Sequence, residues 1–168
     1  MIRLPKIEWS GNCLFKNILI PLDGSATSLS SAEYAMKFAQ EQDASITLLY
    51  VINERNIQKM ADLTGQEHDE IVGQFKEQGK KFFQATKKNA HKIGVTIEVE
   101  EIMLVGDPAE EIINFALKTS FDLIIMATKD REHSSRFMLG HVTNRVIESG
   151  VAPVLAIPFI TLAESPLS

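Results

Sequence analysis

The chain lacks most of what metal-binding, secreted and membrane proteins carry. Cys13 is the only cysteine, so an intrachain disulfide and a thiolate zinc cluster are both excluded, and a reducing compartment fits best. Cys13 would function as a redox sensor or an intermolecular bridge. Nothing near it in sequence activates the thiol, and an inert side chain is the simpler reading. No apolar run approaches the roughly 18 residues that a membrane span requires. The opening stretch MIRLPKIEWSGNCLF is interrupted by Arg3, Pro5, Lys6 and Glu8. It holds no apolar core of the ~7–15 residues that define a signal peptide, and the expected location is the cytoplasm. Positive charge is also in short supply, with 17 Lys and Arg against 22 Asp and Glu and a net charge of −5. That argues against a general nucleic-acid or anionic-membrane binder, while leaving a local basic patch open. Glycine is sparse where it would matter most: none of the nine falls between Gly106 and Gly140.

What is present is ordinary for a soluble domain: 168 residues, 45% of them hydrophobic and 23% charged, enough for one substantial core. Short apolar runs alternate with amphipathic stretches. Strands are expected over Asn17–Leu22, Ile46–Ile52, Ile102–Val105, Leu123–Met126 and Pro153–Ile157, with Val95, Ile97 and Val99 forming a half-exposed lead into the third. Helical stripes follow: Leu29, Ala32, Met36 and Ala39 after caps among Ser25 to Ser28; then Ile71, Phe75, Phe82, Thr86, Ala90 and Ile93 in a long helix from about Glu67, stopped by Gly94. Gly79 is a weak point on the same stripe. Asp107-Pro108-Ala109-Glu110 is a helix start with cap, N1 proline and a capping-box acid, and Ile112, Ile113, Ala116 and Leu117 give that helix its buried side. A last helix runs from about Gly140 to Ser149, with Val142, Val146 and Ile147 inward. Asn53 to Gln66 shows no clear period and reads as a loop or a loosely held segment. The pattern β-α-β-α-β-α-β-α-β predicts an α/β fold, an open five-stranded parallel sheet with helices on both faces. The expected division is an N-terminal extension over residues 1–15, a domain over 16–158 and a tail over 159–168.

In such a sheet ligands bind beyond the carboxyl ends of the strands, where strand order reverses. Those ends carry Asp23-Gly24-Ser25, Val51-Ile52-Asn53, Gly106-Asp107 and Ala127-Thr128-Lys129. The stretch MATKDREHSSRFMLGHVTNRV, Met126 to Val146, leads from the fourth strand into a helix N-terminus, a place suited to an anion.

The order and spacing of six segments resemble the universal stress protein family: NILIPLDGS (Asn17–Ser25), ITLLYV (Ile46–Val51), GDPAEEI (Gly106–Ile112), DLIIMAT (Asp122–Thr128), RFMLGHVTNRV (Arg136–Val146) and PVLAI (Pro153–Ile157). The resemblance covers nearly the whole chain. It implies an adenine-nucleotide-binding-like, Rossmann-type three-layer sandwich. It also implies a homodimer, with the last strand, Pro153–Ile157, pairing across a two-fold axis. The implied crevice residues are Pro21, Leu22, Asp23, Val51, Met126, Ala127, Asp130, Gly140, His141 and Val142. ATP-binding members carry Gly, two residues, Gly, nine residues, then Gly with Ser or Thr. Here those positions are Ala127, Asp130, Gly140 and His141, so only the third glycine is kept. A carboxylate at Asp130 about 4 Å from a phosphate charge would repel it by roughly 1 kcal/mol in water-like dielectric and about 4 kcal/mol at an effective value of 20. Lys129, Arg131 and Arg136 would offset this if they point inward, and Ser134 or Ser135 would supply a hydroxyl.

The resulting expectation is a non-enzymatic stress-response or regulatory protein with weak or no ATP binding and no tightly bound cofactor. A switch that binds ATP or AMP in the same crevice is the alternative, and a weak ATP hydrolase the second. No nucleic acid, membrane or metal is expected as a partner. Lys129, Arg131, His133 and Arg136 form either an anion patch or a solvated loop. His68 and Asp69, among Glu67 and Glu70, form either a metal site or a solvated helix end favoured by the dipole. Ser25 lacks a nucleophile-elbow context, and Met36, Met60, Met103 and Met138 read as packing.

Overall fold

A computed structural model describes residues 14–128 and 139–158. Five strands, β1 (Asn17–Leu22), β2 (Ser45–Asn53), β3 (Val99–Gly106), β4 (Leu123–Ala127) and β5 (Val154–Ile157), form one sheet in the order β3-β2-β1-β4-β5. Every pairing is parallel. Five helices connect them: α1 (Ala26–Glu41), α2 (Glu54–Thr64), α3 (His68–Lys92), α4 (Pro108–Thr119) and α5 (His141–Ser149). The chain winds outward from β1 to β3, then returns to place β4 on the other side of β1. The reversal at β1/β4 is the switch point of a doubly wound α/β sandwich.

Alternation along β1 divides the core in two. Ile18, Ile20 and Leu22 meet Met36 of α1 and Ile71 and Phe83 of α3. Leu19 on the opposite face joins Leu49, Ile112, Ile124 and Val146 under α4 and α5. Ile18, Leu19, Leu49 and Ile124 are all fully buried, each stabilising the fold by about 1.5–3 kcal/mol relative to exposure.

The 53–66 stretch is not a loop. It contains α2, capped by Asn53, whose Oδ1 accepts the Arg55 N–H at 3.0 Å, and closed by Gly65 at φ 69. Ile57 is fully buried, with Met60 and Ala61 packed beside it. That is a helical spacing, obscured by the surrounding charge because a single large residue carries most of the burial. Further differences follow from where each helix axis lies. Phe83 rather than Phe82 is the fully buried ring of α3, and Ile93, Leu117 and Ile147 are exposed. Thr143 replaces Ile147 on the inward side of α5. β3 begins only at Val99, and the apolar run 102–105 is half-exposed because β3 is a sheet edge. Gly79 is a requirement rather than a weak point. A Cβ there would stand 2.6 Å from Tyr50 Cδ1 and 3.0 Å from Met103 Cε, so the absent side chain lets α3 lie close on the sheet.

Candidate functional site

β1 ends in a turn that is built to expose one carboxylate. Ser25 caps α1 by accepting the Ser28 N–H at 3.1 Å. Ser28 Oγ accepts the Asp23 N–H at 3.1 Å, and Asp23 Oδ1 accepts the Ser25 N–H at 2.9 Å, an Asx-turn. Gly24 lies at φ +80, in the left-handed region, with the Phe82 ring occupying the place of a Cβ. Phe82 in turn meets Tyr50 edge-on, with centroids 5.5 Å apart. Burial, with a smaller push from the Asp23 charge, raises the Tyr50 phenol above its ordinary value.

Asp23 stands at the rim of a crevice of about 300 Å³ beyond the switch point, at the small end of the usual range for ligand sites. Pro21, Leu22 and Asp23 supply one wall, Leu49, Tyr50, Val51 and Asn53 a second, Met126 and Ala127 the floor, and Pro108, Ile112, Val142 and Thr143 the helix side. Seven of the ten residues named from sequence therefore meet here. Gly140, the N-cap of α5, and His141, its first residue, are outside this lining. Asp130 lies outside the described residues, as do Lys129, Arg131, His133, Ser134, Ser135 and Arg136.

Sequence reasoning passed over Ser28, Leu49, Tyr50, Pro108, Ile112 and Thr143 as wall residues. Proximity to the strand ends would have found most of them. Thr143 needed the fold, since its hydroxyl donates to the Ala127 carbonyl at 3.2 Å and ties α5 to β4. Gly140 caps α5 without a side-chain hydrogen bond, so the first-turn N–H groups of α5 have no side-chain acceptor from their cap.

Asp107 caps α4, with Oδ1 accepting the N–H groups of Ala109 at 3.1 Å and Glu110 at 3.2 Å. The capping box is not closed: Glu110 Oε1 turns to Arg145 Nη2 at 3.3 Å, while Arg145 Nη1 donates to Asp107 at 2.7 Å. Burial by itself would raise the Asp107 carboxyl, but the Glu110 N–H, the Arg145 guanidinium and the Ala109 N–H outweigh it and hold it below its ordinary 3.8. The sign for stability follows. A depressed carboxyl stabilises the fold fully above its unfolded value and loses that contribution as pH falls through its lower folded value. Asp107→Ala is therefore expected to cost about 1–2 kcal/mol at neutral pH, with the difference from the parent chain shrinking below about pH 4. Thermal unfolding of both chains across that range checks it; a difference independent of pH would contradict the ion-pair and cap assignment.

Away from the crevice, His68, the first residue of α3, bonds Oε1 of Glu54, the first residue of α2, at 3.0 Å and lies 3.4 Å from Asp69. The Glu54 bond, then the Asp69 contact, raises its pKa. Among the described residues no group of three or more His, Cys, Asp or Glu converges to hold a metal, and no helix is long and apolar enough to cross a membrane.

Comparison with known proteins matches this architecture and the sequence motifs. The universal stress protein family model matches residues 14–158. Universal stress protein MJ0531 of Methanocaldococcus jannaschii is 38% identical over 155 residues, covering 92% of this chain and 88% of that protein. The solved structure of MJ0577, from the same organism, is 29% identical with a TM-score of 0.70, covering 88% of this chain and 98% of that one. A universal stress protein from Archaeoglobus fulgidus, solved in complex with dAMP, shares the fold at a TM-score of 0.60 and 19% identity, covering 85% of this chain and 98% of that one. The chain belongs to the universal stress protein family.

Proposed function

We propose that this chain is a non-enzymatic stress-response regulator whose crevice takes the adenosine part of an adenine nucleotide and holds the triphosphate weakly. The observation that carries this reading is the crevice itself. Pro21–Asp23, Val51, Met126, Ala127 and Val142 come together from four separate segments at the switch point. That is where a doubly wound sheet binds nucleotides, and the A. fulgidus relative with this fold holds dAMP. The phosphate side is where the residues depart from the ATP-binding pattern, at Asp130 and His141. The non-enzymatic part rests on chemistry. Among the described lining residues the ionisable groups are Asp23 and Tyr50, and a phenol raised by burial stays protonated at neutral pH. A histidine, lysine or second carboxylate to complete an acid–base pair for hydrolysis is not among these described lining residues. A nucleotide switch using the same crevice is the second reading, favoured by Asp23 and Val51 in its lining. ATP hydrolysis ranks last.

Self-association through Pro153–Ile157 is part of the proposal. Residues 151–158 carry no charge, and Leu155 is 37% exposed on the edge strand β5. The opposite edge, β3, carries Glu100 and Glu101 with Glu98 just before it. Charge blunts a sheet edge against pairing, so β5 is the edge left to pair. The protein is proposed to act in the cytoplasm.

Calorimetric titration with AMP and ATP tests the reading. AMP is expected to bind, and ATP no more tightly than AMP. Asp130→Gly with His141→Ser is expected to strengthen ATP binding by roughly 1 kcal/mol, about fivefold. Absence of AMP binding up to about millimolar, a free energy near −4 kcal/mol, would overturn the crevice assignment; turnover of ATP abolished by Asp23→Ala would overturn the non-enzymatic one.

A further inference from the structure

We infer that Arg145 is a positioning residue for the crevice: by pairing with Asp107 and Glu110 together it sets how far the N-terminal turn of α5 stands from that of α4. This rests on the crevice assignment above and adds what controls its width. α5 has nine residues and buries only Thr143 and Val146, so apolar packing alone holds it loosely. Two polar ties do the rest. On one side Thr143 donates to the Ala127 carbonyl at 3.2 Å, fixing α5 to the sheet. On the other, the planar guanidinium reaches Asp107 at 2.7 Å and Glu110 at 3.3 Å, fixing α5 to α4.

The lining residues Val142 and Thr143 lie within one turn of Arg145, and Pro108 and Ile112 lie just beyond Asp107 along α4. The crevice thus has its helix wall built from two elements joined by this fork. Arg145 and Asp107 are each about one-third exposed and Glu110 is 64% exposed, so the Asp107 arm of the fork is the more shielded one. Asp107 Oδ1 is also committed to two backbone N–H groups, which makes it a rigid anchor. A lysine supplies one compact charge and lacks the fork that spans two carboxylates.

The experiment compares the parent chain, Arg145→Ala and Arg145→Lys in two readouts. The first is titration with adenosine and with AMP, under conditions where urea unfolding shows every variant more than about 99% folded, so that lost stability does not lower affinity. The second is the distance between spin labels placed at Glu111 of α4 and Asn144 of α5, which needs no ligand. The alanine variant is expected to bind adenosine and AMP about tenfold more weakly, by the same factor for each, with a longer or broader label distance; lysine is expected to fall between. An alanine variant with parental affinity and parental label distance overturns the inference. A loss confined to AMP also overturns it, since it would place the guanidinium on the phosphate. If the parent chain binds neither ligand, the crevice assignment fails, and the label distance alone then decides whether Arg145 sets the gap.

Discussion

Gly24→Ala is expected to destabilise the protein by about 3 kcal/mol and to weaken any ligand bound beside Asp23. Two independent costs add. An alanine at φ +80 occupies the left-handed region, at about 1–2 kcal/mol. Its Cβ would also stand 2.2 Å from two Phe82 ring atoms, and overpacking of this kind costs about 1–3 kcal/mol. The ring has little room to retreat, because Tyr50 lies edge-on at 5.5 Å, and Tyr50 is itself packed against the bare backbone of Gly79. A double-mutant cycle with Phe82→Ala separates the two costs. Removing the ring relieves the overlap and leaves the backbone strain, so Gly24→Ala should cost only about 1–2 kcal/mol in the Phe82→Ala background. Urea unfolding of the four chains measures the cycle. A single substitution within about 0.5 kcal/mol of the parent, the usual range for an unconstrained surface site, would show that the turn is free to rearrange.

Phe83→Ala is expected to have the largest effect of any substitution considered, about 3–5 kcal/mol. Phe83 is fully buried between α3 and the sheet, in the same cluster as Ile18, Ile20 and Leu48. The sheet beneath it is continuous and cannot collapse into the void. Phe82→Ala, by contrast, removes a half-buried ring at the margin of that cluster, whose contacts include Gly24 and Tyr50, at about 1–2 kcal/mol. The order of the two losses in urea unfolding is the check. If Phe82→Ala proved the costlier, the orientation of α3 on the sheet would be wrong.

These two rings also show where a sequence stops being legible. Both Phe82 and Phe83 satisfy helical spacing from Gly79, and the choice between them depends on the angle at which α3 crosses the strands. The same holds for Leu117 and Ile147, apolar on paper and exposed in the fold. α2 is hidden in the sequence for a related reason: its burial rests chiefly on Ile57, one residue in a polar stretch, and only packing on α3 and β2 shows that a helix is stable there. The Arg145–Asp107 pair spans 38 positions in the chain, as does no local motif, and the Asp122 carboxylate that accepts the Lys16 and Asn17 N–H groups lies more than a hundred positions from them.

The α/β class, the strands, most helices, the Asp107 cap, a cap among Ser25 to Ser28 and the resemblance to the family are all legible in the chain before it folds, as is the expectation of a crevice at the strand ends. Each of these is written in short-range order: a period of two or 3.6 residues, a cap within three positions, a run of motifs at fixed spacing. Four features needed the folded chain: the strand order that puts β1 beside β4, the edge positions of β3 and β5, which of two phenylalanines fills the core, and how Arg145 joins two helices at the crevice. Those depend on contacts between residues far apart in the chain, whose energies exist only once the sheet has formed and fixed the distances between them.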